Sequence, residues 1–212
     1  MRSNFEKQLN FLNEELISMG NMCEQVISLS IRILTEDDES LAELVNEKDK
    51  EIDQKERDIE GLCIKLILHQ QPVATDLRKI SSALKMISDM ERIGDQAADI
   101  AQIAKYIVGL KENNEDDIKQ MAHEAVKMVS GSIESFVKGD LELAHFVQKY
   151  DDVVDKWFLK IKKELIKLIS QDNSKGEYYI DLLMIAKYLE RIADHATNIS
   201  EWVEYSLTGL RV

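Results

Sequence analysis

The chain has 212 residues, 44% hydrophobic and 32% charged, and a formal net charge of −13 at pH 7, enough length and apolar content for a packed core. Residues 1–110 hold 13 Lys+Arg against 21 Asp+Glu and residues 111–212 hold 14 against 19, so neither half is a basic arm and no Lys/Arg stripe is evident. Such a field repels phosphate backbones and anionic lipid, which argues against nucleic-acid binding and against free phosphate unless a metal bridges it.

One proline and eight glycines favour long helices over strands. Phe5, Leu9, Leu12, Leu16, Met19, Cys23, Val26 and Ile33 step by fours and threes, with Ser30 as the polar member, and predict a first helix that ends in a turn at Thr35-Glu36-Asp37-Asp38. Leu41, Val45, Ile52, Ile59, Cys63 and Leu66 predict a second helix running to about His69, with Lys48 and Lys55 where the seam should be apolar. Gln70-Gln71-Pro72 stops it, because proline disfavours a helical residue before it. The third seam, Ala83, Ile87, Met90, Gly94, Ala97, Ala101, Ala104 and Val108, is rich in small residues that let neighbouring helices approach closely. After a linker at Lys111-Glu112-Asn113-Asn114-Glu115, helices are expected over about 116–138, 140–171 and from beyond Gly176, the last with a seam from Leu182 to Leu207.

The chain repeats itself. Asp49-Lys50-Glu51-Ile52-Asp53 returns 102 positions later as Asp151-Asp152-Val153-Val154-Asp155, and Glu91-Arg92-Ile93-Gly94-Asp95 returns 99 positions later as Glu190-Arg191-Ile192-Ala193-Asp194. The duplication predicts an all-α fold of two tandem three-helix bundles, residues 1–110 and 111–212. It also sets four acidic pairs at i, i+4, where like charges stand one above the other and repel by roughly 0.2–0.5 kcal/mol a pair.

Glu91 and Asp95 lie one residue beyond seam members, and Asp49 and Asp53 lie beside the second helix's apolar line, so helices packed seam to seam bring four carboxylates per half toward one shallow patch. On the last helix Glu190, Asp194, Asn198 and Glu201 fall within about 80° of one another, and Glu91, Asp95, Asp99 and Gln102 are their first-half equivalents. Oxygen donors alone suit Mg²⁺, Ca²⁺, Mn²⁺ or iron and suit zinc poorly. A plain solvated face is the competing reading, with Arg92 and Arg191 supplying counter-charge.

Other features read as structural. Cys23 and Cys63 lie on apolar seams as buried thiols. Glu142-x-x-His145 has the spacing of a di-metal bundle, the basis of an alternative ferritin-like oxidase or store, but only one copy occurs. His123 and His145 read as ordinary helix residues, His69 as packing at the stop, and His195 as a neighbour of the acidic row in a supporting role. Trp157, Trp202 and the later tyrosines read as packing. No catalytic motif, signal segment or membrane-spanning run is seen, which points to a non-enzyme in a reducing cytoplasm.

His69-Gln70-Gln71-Pro72-Val73-Ala74-Thr75-Asp76-Leu77-Arg78, Met90-Glu91-Arg92-Ile93-Gly94-Asp95 and Tyr188-Leu189-Glu190-Arg191-Ile192-Ala193-Asp194-His195-Ala196-Thr197-Asn198-Ile199 together resemble the PhoU family of phosphate-signalling regulators. The resemblance spans essentially the whole chain. It implies two three-helix bundles related by a pseudo-twofold, with acidic motifs that hold iron, Mg²⁺ or Mn²⁺ in surface clusters. It further implies a negative regulator of phosphate uptake and of the phosphate-starvation response, coupling the ATPase of the high-affinity phosphate ABC transporter to a two-component sensor histidine kinase. Such a regulator is expected in the cytoplasm, peripheral to the membrane through its partners, and as a homodimer. Carried over residue by residue, the ligands are Asp49, Asp53, Glu91 and Asp95 in the first half and Asp151, Asp155, Glu190 and Asp194 in the second. The family's Asn-Ile-Ala-Glu continuation is nearly kept in Asn198-Ile199-Ser200-Glu201, whereas the first half reads Asp99-Ile100-Ala101-Gln102.

Overall fold

The structure is a computed structural model that describes the backbone of residues 2–70, 72–110 and 115–210, and side chains within 5–68, 72–110 and 115–210. Six helices follow in order: α1 (Arg2–Glu36), α2 (Leu41–Gln70), α3 (Ala74–Ile107), α4 (Glu115–Lys138), α5 (Leu141–Gln171) and α6 (Gly176–Thr208), with a single 3-10 turn at Asn173–Lys175. No strand occurs among the described residues. The helices fall within a few residues of the bounds expected from the seams. The side chain expected to pack at His69 and most of the linker at 111–114 lie outside the described residues.

Chain punctuation accounts for the ends. α1 runs through Glu36 and stops where Asp37 takes φ 60, a left-handed conformation that a short polar side chain tolerates. Asp37 Oδ1 accepts the N–H of Gly109 at 2.6 Å, pinning this turn to the exit of α3. Pro72 and an extended Val73 separate α2 from α3. Gly139 takes φ 64 and Asp140 caps α5 by accepting the Leu143 N–H at 3.0 Å.

Each half is a three-helix bundle, α1–α3 and α4–α6, in which every helix packs on the other two. The most extensive packing in the molecule joins α3 to α6, with α1 against α4 as a second contact between halves, so one apolar core serves both bundles. The small-residue seams explain this, because Ala97, Ala101 and Ala104 on α3 and Ala186, Ala193 and Ala196 on α6 are fully buried. The polar seam members find partners: Ser30 donates to the Ile27 carbonyl at 2.8 Å, and Lys55 Nζ meets Glu15 Oε2 at 2.9 Å. Both cysteines are buried and free, and burial pushes the Cys63 thiol up to about 12 and the Cys23 thiol higher still, so neither is a ready thiolate.

Candidate metal centre

In the first half, α2 supplies Asp49 and Asp53, and the antiparallel α3 supplies Glu91, Asp95 and Asp99. Asp49 is half-buried, and its carboxyl is pushed up to about 6 by loss of solvent first, then by the charges of Asp53, Asp95 and Asp99. Its Oδ1 is fully buried without a hydrogen-bond partner. Gly94 makes the room, since a Cβ there would stand 2.9 Å from that oxygen. Glu91 is raised by burial, then by Asp95, with Glu56 and Asp53 adding to it.

The second half repeats the arrangement. Asp151 on α5 is pushed up to about 6 by burial, then by Asp155, Asp194 and Glu190. Asp194 on α6 is raised by the same causes, burial and then Glu190. The buried Thr197 hydroxyl stands near enough to favour the charged form of Asp151 but lacks the geometry of a proper hydrogen bond.

Counter-charge is partial. Arg92 reaches Asp95 at 2.9 Å and Glu91 at 3.5 Å, and Lys187 pairs with Glu190. Among the described residues Arg191, expected to do the same in the second half, makes no ion pair, so Lys187 has taken that part. Among the described residues the innermost carboxylates, Asp49 and Asp151, make no salt bridge, and Lys50 acts on Asp49 only as a minor charge.

The helix-shoulder residues thus do meet across α2/α3 and across α5/α6. The rows' upper members behave differently. Asn198 donates from Nδ2 to Asp89 Oδ1 at 3.1 Å, and His195 Nδ1 meets the same oxygen at 2.9 Å, so both reach across the halves to α3. The pseudo-twofold turns the Asp89–Asn198 pair into Tyr188 and Asp99, which are indeed neighbours: the Tyr188 phenol is raised by burial and then by Asp99. Asp99 consequently borders both the first patch and the junction between halves. Glu201 is exposed at the far end of its row.

Reasoning from the sequence missed Asp89, whose repeat equivalent is Tyr188, and Glu56, which lies one turn beyond Asp53 and accepts from Ser88 at 3.1 Å. The i, i+3 step from Asp53 to Glu56 was the available signal. The lone Glu142-x-x-His145 does not build a second site, because Glu142 is exposed and His145 lies 3.3 Å from Glu204 on α6.

The donor chemistry fits a hard cation: buried oxygen without a donor, carboxylates that resist joint ionisation, and no thiolate or imidazole at the centre of either patch. Among the described residues no three His, Cys, Asp or Glu side chains are already gathered into a chelating set, so the patches are coupled neighbours rather than closed cages.

The PhoU domain matches residues 16–104 and again 118–203. The phosphate-specific transport system accessory protein PhoU homolog of Clostridium acetobutylicum is 39% identical over 100% of this chain and 97% of its own length. Its Pseudomonas aeruginosa counterpart is 32% identical over 98% of this chain and 87% of its own length. The crystal structure of PhoU from Pseudomonas aeruginosa superposes with a TM-score of 0.90 at 32% identity, covering 97% of this chain and 100% of that one. The regulatory protein PhoU of the phosphate transport system from Streptococcus pneumoniae gives 0.90 at 28% identity, covering 98% and 99%. Two copies of the domain, end-to-end relatives and the same six-helix architecture meet in one chain, which therefore belongs to the PhoU family.

Proposed function

We propose that the protein is a regulatory accessory subunit of phosphate uptake, associating with the ATPase of a phosphate ABC transporter and coupling it to a sensor histidine kinase, with cations held in its two acidic patches. The relatives' role as phosphate transport accessory proteins supports the first part. One observation carries the cation part: Asp49 and Asp151, equivalent by the repeat, are both half-buried and both raised to about 6, by loss of solvent first and by neighbouring like charges second. A carboxylate that is costly to ionise alone becomes favourable once a cation lies beside it, so each patch trades protons for metal. Asp49, Asp53, Glu91 and Asp95, bordered by Asp99, would hold one ion or cluster, and Asp151, Asp155, Glu190 and Asp194 the other. Iron, Mn²⁺ and Mg²⁺ all suit these donors. The bound charge would neutralise the acidic face and hold α2 against α3 and α5 against α6, which sets the surface a partner meets. Asn198 and Glu201 extend the second row, and Asn198 is already engaged by Asp89.

Two measurements test this. Thermal unfolding of the full chain with Mn²⁺ against chelator should show stabilisation of about 2.7 kcal/mol for each occupied patch when free metal is a hundredfold above its dissociation constant. Changing Asp49, Asp53, Glu91 and Asp95 to Ala should remove one part of that response, and changing Asp151, Asp155, Glu190 and Asp194 the rest; a full response in the eightfold variant would end the assignment. In cells, deleting the gene should release the phosphate-starvation response at high phosphate, and the intact chain should restore repression. Restoration by the folded eightfold variant would separate the regulatory role from the patches.

A further inference from the structure

The second-half outer helix carries a feature that net charge conceals. Lys149, Lys156, Lys160, Lys163 and Lys167 are spaced by 7, 4, 3 and 4 residues. That spacing keeps them within about 60° of arc along one face of α5, over about 27 Å. All five are exposed, and among the described residues only Lys160 has a carboxylate within salt-bridge distance, Asp117 at 2.7 Å. From 149 to 167 the chain holds six lysines against Asp151, Asp152, Asp155 and Glu164, a local net of +2 that rises to +4 over 156–167, in a protein of −13.

Apolar side chains flank the stripe. Leu159 and Ile166 on α5 are 51% and 56% exposed, and Ile180 and Met184 on α6 are 54% and 41% exposed. Lys187 Nζ sits 5.5 Å from the Phe158 ring centroid, which fixes the level of the antiparallel pair. Counting from that contact puts Ile166 near Ile180 and Lys162 near Met184.

The first half is an internal control. The counterparts of the five lysines are Glu47, Gln54, Asp58, Gly61 and Lys65, and those of Leu159, Ile180 and Met184 are Arg57, Ser81 and Lys85, while Ile166 keeps an exposed aliphatic counterpart in Ile64. The bundle does not need the stripe to fold, since the first half folds the same way without it.

We propose that the outer face of α5, from Lys149 to Lys167, docks directly on an anionic lipid surface. Lysines bordering exposed aliphatic residues fit that occupant, with the ammonium groups pairing with headgroup phosphates while Leu159 and Ile166 enter the headgroup layer. Nucleic acid offers nothing to the aliphatic row. Protein interfaces are depleted in lysine, which makes an acidic partner protein the weaker fit. The protein's overall negative charge does not forbid contact, because carboxylates on the far side of a bundle about 20 Å thick lie beyond the screening length of about 8–10 Å, and those on α5 itself, Asp151, Asp152 and Asp155, all lie N-terminal to Lys156 and lower the local charge at the Lys149 end alone. The docking is independent of cation binding in the acidic patches.

The test is flotation of the full chain, in chelator, with phosphatidylcholine vesicles that contain or lack phosphatidylglycerol. Binding to the anionic vesicles alone is expected, weakened about fivefold for each lysine removed in the variant carrying Lys149→Gln, Lys156→Gln, Lys163→Gln and Lys167→Gln. Leu159→Ser with Ile166→Ser should remove the part that survives high salt, while Lys65→Gln in the first half should change binding far less than any one stripe lysine. Circular dichroism confirms that each variant is folded. No binding by the intact chain, or binding indifferent to the four lysines, overturns the proposal. So does capture of polyglutamate through the same lysines without vesicle binding, which would assign the stripe to an acidic protein surface.

Discussion

Where α2 crosses α3 the chain has Gly94, and where α5 crosses α6 the equivalent residue is Ala193. The carboxylate beneath is the same, but its accommodation differs. In the first half the missing Cβ lets Asp49 sink until Oδ1 is buried without a donor. In the second, Thr197 stands beside Asp151 where the first half has Ala98. One turn along, Ser88 donates to Glu56, while the equivalent pair sets Lys187 over the Phe158 ring. The first patch thus has a further carboxylate, Glu56, at its border, whereas the second is bordered by lysine and aromatic surface, and the innermost carboxyl is raised to about 6 in both. The duplicated core fixes where the acids stand, and the residues around them set what each carboxyl faces.

The largest expected effect breaks this comparison at the crossing itself. Gly94→Val puts a branched side chain where even a Cβ would lie 2.9 Å from Asp49 Oδ1 and 3.2 Å from Ile52 Cδ1. Overpacking of this kind costs about 1–3 kcal/mol. Ala193→Gly, the opposite change in size, should cost about 1–2 kcal/mol, the helix-propensity difference plus one buried methyl. Urea unfolding of both variants measures it. Equal losses would mean that the two crossings are equally tight.

Protons should tell the patches apart from the rest of the molecule. A carboxyl whose folded value, about 6, lies above its unfolded value of 3.8 binds protons preferentially in the folded state. Folding stability therefore falls as pH rises from about 4 to about 6, and the loss is complete above about 6. Exposed groups held low, such as Glu36 beside Arg32, act in the opposite sense, so the difference between variant and parent is the useful quantity. In chelator, Asp49→Asn and Asp151→Asn should each stabilise the protein at pH 7 by on the order of 1–2 kcal/mol, a gain that vanishes near pH 4. The gain should be larger at Asp49, which has no hydroxyl neighbour. Variants that lose stability at pH 7 would show that these carboxyls are not the strained ones.

Much of this was legible in the residues. The heptad-like seams named six helices because a buried stripe repeats every three to four positions whatever its neighbour is. The shoulders at Asp49, Asp53, Glu91 and Asp95 lie close enough to feel one another's charge, since a shoulder's position follows from the seam beside it, but they are not gathered into a chelating set. Which helices pair across the halves was not legible: the small residues of α3 and α6 announce a close approach without naming the partner. Asp89 therefore stands outside the expected rows, and Asn198, expected in the acidic row, and His195, expected beside it, both reach Asp89, 109 and 106 positions away. The lysine stripe of α5 was hidden for another reason. Summing charge over each half averages it away, although its spacing of 7, 4, 3 and 4 is helical on inspection.

The junction between halves allows a finer comparison between its two ends. At one end Asp89 is gripped by His195 and Asn198, and at the other its pseudo-twofold equivalent Tyr188 faces Asp99. Asp89→Ala removes the acceptor of two partners from a partly buried site and should cost about 1 kcal/mol. Tyr188→Phe keeps the ring and deletes only a hydroxyl beside an exposed carboxylate, so its cost should be under half of that. A double-mutant cycle of Asp89→Ala with Asn198→Ala, in chelator, should return a coupling of about 0.5 kcal/mol or more, as residues in one hydrogen-bonded set do. The matching cycle of Tyr188→Phe with Asp99→Ala should fall near zero. If the second coupling were the larger, the junction would be held at the Asp99 end, and cation capture by the first patch would then compete with the contact that joins the bundles.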